Sequence, residues 1–225
     1  MTRARVLPTI LRRNIINAST SAATSSRPFV PGTTGWTARD LDDPAIEREW
    51  FRGRYEIIEG VLAELAPGYF AAGRAVVSLL YKVVVQVGES AGDFACGVDI
   101  VMDEMRVVRA DAAFLTPFDE KKQIEAARIA GRIDPNRTRI LIPPTLVIES
   151  MSPGHEFHDQ RTKRRWYAEF GIPNYWVLNS FDHSLQCLTL DGNDYREDAA
   201  GRDQQEVRPS LFTNLVIALK ELWAE

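Results

Sequence analysis

The stretches "TLVIES" (145–150) and "HDQRTKRRWYAEFGIPNYWVLN" (158–179) decide the fold class. The first is short and mostly apolar, as expected for a strand inside a covered sheet. The second opens polar and closes at Gly171, a favourable residue just past a helix end, with Pro173 beyond it. It reads as a helix followed by a strand, "NYWVLNS". Upstream, "RYEIIEG" and "VLAELAP" are strand-like runs that meet at Glu59-Gly60, a hairpin turn. Val76, Leu79, Leu80, Val83, Val84 and Val87 recur at helical spacing and predict a buried helix. Phe94, Cys96, Val98, Ile100 and Met102 alternate onto one face of a strand, leaving Asp99 on the other. "RVVRADAAFL" predicts a further strand with Arg109, Asp111, Ala113 and Leu115 on one side.

The remaining elements are shorter. Thr37 reads as a helix N-cap with Asp40 as its reciprocal partner. Residues 118–142 read as a loop or surface helix. "SLQCLTLDG" is a strand turning at Asp191-Gly192, and "LVIALKELW" predicts a closing amphipathic helix. Together these give an α/β (α+β) class: a mixed sheet flanked by helices, in one domain over residues 36–225. Residues 1–39 hold six arginines and no acid, a composition shared by organellar transit peptides and disordered extensions. Residues 1–35 are read as such an extension.

The whole chain carries a formal charge of −4 and a pI near 5.5, which argues against a protein that coats nucleic acid indiscriminately. A local basic patch is still allowed. Cys96 and Cys187 are far apart and form no ligand cluster, so free thiols in a reducing, cytoplasmic compartment are expected. No apolar run approaches the roughly 18 residues that span a bilayer, and no membrane partner is expected.

Three residues suggest chemistry. Asp111 interrupts an apolar strand, Glu149 ends one, and Lys163 lies one turn into the next helix. A buried acid is costly unless it is paired or bound to a cation. Two acids on neighbouring strands suit Mg²⁺, which takes one or two carboxylates and keeps several waters. A lysine beside them can orient a water or offset charge on a phosphate. Each residue also has a structural reading: Asp111 paired with Arg106 or Arg109, Glu149 capping the turn it precedes, Lys163 on a solvated face of "RTKRR". His155 and His158 have a spacing compatible with metal binding but read as solvent-facing. Asp99 reads as facing water. Trp166 or Tyr167 is assigned to the core, and Arg161, Arg164 and Arg165 to backbone phosphates.

"YEIIEGVL", "VRADAAFL", "PPTLVIESMSP" and the stretch 158–179 together resemble the Uma-type endonuclease family within the PD-(D/E)XK nuclease superfamily. The resemblance covers roughly residues 50–222. Its most specific part is Asp159, Lys163, Tyr167, Gly171, Pro173, Tyr175 and Trp176. It implies a restriction-endonuclease-like core and a Mg²⁺- or Mn²⁺-dependent endonuclease acting on DNA, with dimers expected. Asp111 and Glu149 match the two metal-binding acids, with the Ser150 carbonyl as a further ligand, and Glu56 matches an assisting amino-terminal acid. Met151 stands where the superfamily lysine would be, and Lys163 on the next helix takes that role. Ala110 replaces the usual proline before the strand acid, and "GYFAAGRAV" lacks a histidine often found there. A rival reading keeps the fold as a catalytically inactive module that binds nucleic acid or protein. A carboxylate-pair glycosidase gives no reason for the lysine.

Overall fold

A computed structural model describes residues 27–131, 139–151 and 158–223. Its first helix, α1 (Pro44–Trp50), is capped by Asp43, whose side chain accepts from the Ala45 N–H, with Pro44 in the first turn. The predicted Thr37–Asp40 pair does form, with Asp40 accepting from both the backbone N–H and the hydroxyl of Thr37. It opens a short 3₁₀ turn over Asp40–Asp42 rather than the helix. Strands β1 (Tyr55–Ile58) and β2 (Val61–Glu64) form the expected hairpin, with both Glu59 and Gly60 at positive φ. Helix α2 (Phe70–Val87) leads to β3 (Asp93–Val101) and β4 (Val107–Leu115). Residues within 118–142 supply most of a surface helix, α3 (Pro117–Ile129), capped by Thr116. Then come β5 (Leu146–Met151), α4 (His158–Phe170), β6 (Asn174–Asn179), β7 (Ser184–Asp191) and β8 (Asp194–Arg202). Two short strands, β9 (Glu206–Val207) and β10 (Ile217–Ala218), pair with each other.

The sheet order is β2-β1-β4-β5-β6-β7-β8, with β3 on the other edge of β4. It is antiparallel except for β5 and β6, the pair that α4 connects. β5 and β6 are covered on both faces, which explains their nearly continuous apolar runs. On one face α2 packs Ala75, Val76, Leu79 and Val83 against Ile148, Trp176 and Leu178. On the other, α4 packs Trp166, Tyr167 and Ala168 against Val147 and Tyr175. A third cluster holds Trp36, Leu41, Trp50, Ile57 and Leu62 around the β1–β2 hairpin. Phe29 packs on this cluster, and Thr34 bridges to Val61, so residues 27–35 lie against the hairpin. Helix α2 is long and apolar enough to cross a membrane by length and composition. Its inner stripe is built into the first core, so it lies on the sheet, while Phe70, Val77, Tyr81 and Val85 stay exposed.

Two departures from the sequence reading shape the centre. Val108 and Ala110 belong to the α4-side core, yet Ala112 and Phe114 belong to the α2-side core. The alternation therefore changes face at Asp111. Opposite it, β3 makes the same change: Phe94 packs on the α2 side, Val98 and Ile100 on the α4 side. Gly97 stands between them at φ +58°, a backbone conformation that a residue with a Cβ resists. A single-face alternation from Phe94 to Met102 is thus incorrect. So is the closing helix: Leu215, Ile217 and Leu219 are buried at every second position, the strand period, and only Leu219–Glu221 forms a 3₁₀ turn. Gln86 on α2 bonds both the N–H and the carbonyl of Val216, acting as a one-residue strand partner.

Candidate active site

β3 pairs along the full length of β4, leaving one edge of β4 to be shared. β1 takes that edge at Val107, and β5 takes it from Ala112 to Phe114. The edge forks between them, over Arg109–Asp111, and there side chains replace the missing backbone partners. Glu56 accepts from the Arg109 N–H at 2.9 Å. Asp111 Oδ2 accepts from the Ser150 N–H at 2.8 Å and from its hydroxyl at 2.5 Å. The strand end therefore carries carboxylates because its ladder opens.

Helix α4 lies beside this fork. Burial of Trp166, Tyr167 and Ala168 fixes its rotation, and Lys163 and Tyr167, one turn apart, project toward the fork together. The Lys163 Nζ lies 2.8 Å from Glu56 Oε1 and 3.2 Å from Glu149 Oε1, and donates to the Arg109 carbonyl at 3.3 Å. The Tyr167 hydroxyl also donates to Glu149 Oε1. Four of the residues singled out in the sequence (Glu56, Asp111, Glu149 and Lys163) thus converge, with Ser150 beside them. Asp111, Glu149, Ser150 and Lys163 line a cleft of about 620 Å³ together with Arg54, Met151, Tyr69 and Tyr175, while Glu56 is buried against Lys163.

Electrostatics follow from burial. Desolvation raises the Glu149 carboxyl to about 7, against the pull of Lys163 and with a smaller push from Asp111. Lys163 is held the other way: burial lowers its proton affinity, but Glu149 and Glu56 outweigh burial and push it up. It stays an ammonium. Tyr167 and Tyr175 are both raised, chiefly by burial and then by Glu149, and remain neutral donors.

Among the described residues no group of three or more His, Cys, Asp or Glu side chains has metal-binding geometry. A Mg²⁺ ion needs fewer protein ligands. Glu149 uses Oε1 for Lys163 and Tyr167, and Asp111 uses Oδ2 for Ser150, so each acid directs its bonds through one oxygen. At Oδ1, Asp111 meets only a 3.4 Å contact from Arg54 among the described residues. Two carboxylates on one cleft, each with one oxygen less committed than the other, fit a hard divalent ion that keeps most of its water.

The arginines of α4 go elsewhere. Arg164 pairs with Asp194 at 3.0 Å and with the Tyr195 carbonyl, and Arg165 with Glu169 at 3.6 Å. Arg161 is exposed, and none of the three lines the cleft. The suggested partners of Asp111 are also committed: Arg106 to Asp103 and Glu169, Arg109 to Asp99. Asp99 does not face water. It is buried and accepts from Trp50 Nε1 at 2.6 Å and Arg109 Nε at 2.8 Å. Sequence reasoning missed two groups, the Tyr167 hydroxyl and Arg54. Tyr167 was legible as the residue one turn after Lys163, and Arg54 as the cation two residues before Glu56, just ahead of β1. His155 and the side chains of His158 and Asp159 lie outside the described residues.

The fold is similar to the crystal structure described as "a putative nuclease belonging to DUF820" from Anabaena variabilis ATCC 29413. The TM-score is 0.54 at 14% identity, covering 75% of this chain and 88% of that one. No curated protein matches the sequence. The Uma2 family, described as "Putative restriction endonuclease", matches residues 48–220. That match takes in the fork, both acids, the lysine helix and the sheet beyond it, and the chain belongs to the Uma2 family.

Proposed function

We propose that this protein is a divalent-metal-dependent endonuclease that hydrolyses phosphodiester bonds in DNA. One observation carries the reading: Asp111, Glu149 and a doubly anchored Lys163 meet in one cleft at a strand fork. Asp111 and Glu149, with the Ser150 carbonyl, would hold Mg²⁺ or Mn²⁺. Such an ion supplies Lewis acidity toward a phosphate oxygen and makes a water more acidic.

The protein groups do the rest. Lys163 stays charged, so it orients the attacking water and offsets charge on the phosphate; it does not take the proton. Glu56 holds the ammonium in place from the far side. Tyr167 fixes Glu149 through Oε1, so the bond does not use Oε2. In the reaction the water oxygen bonds to phosphorus and gives up a proton to solvent, the phosphorus–oxygen ester bond breaks, and the leaving alkoxide takes a proton from solvent to become the alcohol. A cytoplasmic site of action and pairing of two copies belong to the same proposal. The rival reading, a binding module without catalysis, draws on the fact that Glu56 and Asp111 also fill ladder positions.

Nicking of supercoiled plasmid decides between them. Wild type should nick in Mg²⁺ or Mn²⁺ and not in EDTA, and Asp111→Asn and Glu149→Gln should abolish nicking. Folded wild-type protein that cuts nothing in either metal leaves the binding module as the better account.

A further inference from the structure

Resting on the metal-dependent reading above, we infer that Arg54 is the phosphate-binding cation of the cleft, and that it guards Asp111 until a divalent ion displaces it. Three basic residues line the cleft among those described: Arg54, Arg109 and Lys163. Two are fully committed. Lys163 sits between two carboxylates, and Arg109 is fixed by Asp99 at 2.8 Å and the Gly53 carbonyl at 3.0 Å.

Arg54 differs in how loosely its head is held. Its backbone is anchored, with the Leu65 N–H donating to its carbonyl at 2.7 Å. Among the described residues its guanidinium makes two hydrogen-bonding contacts, to Asp111 Oδ1 and to the Ala66 carbonyl, both at 3.4 Å. That is longer than the usual N–H···O range of about 2.7–3.2 Å. The side chain is 39% exposed. A guanidinium carries five N–H donors in a planar fork suited to two phosphate oxygens at once, so donors remain for a ligand.

The oxygen that Arg54 touches is also the one Asp111 has left for a metal, since Oδ2 is locked on Ser150. A divalent ion and the Arg54 head therefore compete for Oδ1. When the ion takes the carboxylate, the guanidinium is released beside it, with a phosphodiester as its natural partner. Metal and nucleic acid then bind with positive coupling through one side chain, and the coupling is reciprocal. Before the metal arrives, the pair keeps a cleft acid from meeting polyanionic DNA unneutralised.

Arg54→Gln separates the two roles. Mn²⁺ titration by calorimetry without DNA should show the variant binding about fivefold tighter or better than wild type, because a competing cation is gone. Fluorescence anisotropy with a labelled DNA duplex, in Ca²⁺ and with the duplex checked intact on a gel, should show weaker binding. The slope of log affinity against log salt should fall by about one, the signature of one lost phosphate contact. Arg54→Lys should restore that slope. Unchanged or weaker Mn²⁺ binding in Arg54→Gln overturns the guarding role. A salt slope equal to wild type overturns the phosphate contact. Wild type that binds no Mn²⁺ removes the metal-dependent reading itself. A wild type that binds Mn²⁺ and nicks plasmid, beside an indistinguishable Arg54→Gln, removes only this inference.

Discussion

Replacing Glu149 with glutamine should make the protein more stable at alkaline pH while abolishing its chemistry. Burial raises this carboxyl from 4.5 to about 7, so the folded state favours the protonated acid more than the unfolded chain does. Stability is therefore unaffected by this group below about pH 4.5. It falls as pH rises toward 7, and the full cost is present above 7. At about 1.4 kcal/mol per pH unit, the cost amounts to about 3 kcal/mol. The Glu149 side chain is 12% exposed, so little of this is lost to solvent screening. Glutamine keeps an oxygen for Tyr167 and Lys163 but carries no charge, and Lys163 retains Glu56. Urea unfolding in EDTA between pH 5 and 8 reads the difference. The two proteins should be nearly equal at pH 5, and the variant ahead at pH 8 by about 1–2 M in midpoint, for a slope near 2 kcal/mol/M. Saturating Mg²⁺ should reverse the order, adding about 4.1 kcal/mol to wild type at a thousandfold excess over its Kd and nothing to the variant. A variant less stable than wild type by the same margin at every pH would refute the reasoning.

Other residues give sharper local tests. Lys163→Met strands Glu56 and Glu149 without their cation, and should cost about 3–5 kcal/mol at pH 8, shrinking toward pH 5 as Glu149 protonates; thermal unfolding across that range checks it. Tyr167→Phe removes a donor that favours the Glu149 anion, so the pH midpoint for Mn²⁺ binding should move upward; an unmoved midpoint means the hydroxyl is only packing. Gly97→Ala meets nothing within 4 Å, so its cost should be conformational alone, about 1–2 kcal/mol by urea unfolding; a neutral result would contradict the face change at Asp111.

What the chain revealed about itself divides along physical lines. Glu149 at the end of an apolar strand, and Lys163 one turn before Tyr167, were legible because burial of charge and helical spacing are local in sequence. The Glu59-Gly60 hairpin and the Gly171 helix end were legible for the same reason. The face change at Gly97 and Asp111 was not, since alternation looks unbroken until one backbone angle inverts. Nor was the rotation of α4. Three arginines in "RTKRR" look equivalent in sequence, and only the burial of Trp166 and Tyr167 turns Lys163 inward and Arg164 toward Asp194. β8 escaped notice because an outer strand rich in Asp, Glu and Arg carries little apolar alternation, a composition that protects an exposed edge. At the carboxyl end, Leu215, Ile217 and Leu219 carried a strand period that the surrounding leucines and alanine disguised as a helix.

The central claim is that Asp111 and Glu149 are held open for a divalent ion. Calorimetric titration with Mn²⁺ at pH 7.5 tests it most directly, comparing wild type with Asp111→Asn and Glu149→Gln, each shown to be folded. The account predicts saturable binding of Mn²⁺ to wild type and its loss in both variants. Folded wild type that takes up no Mn²⁺, or variants that bind it as well as wild type, would contradict the claim and leave Asp111 as a ladder cap at the strand fork and Glu149 as the buried partner of Lys163 and Tyr167.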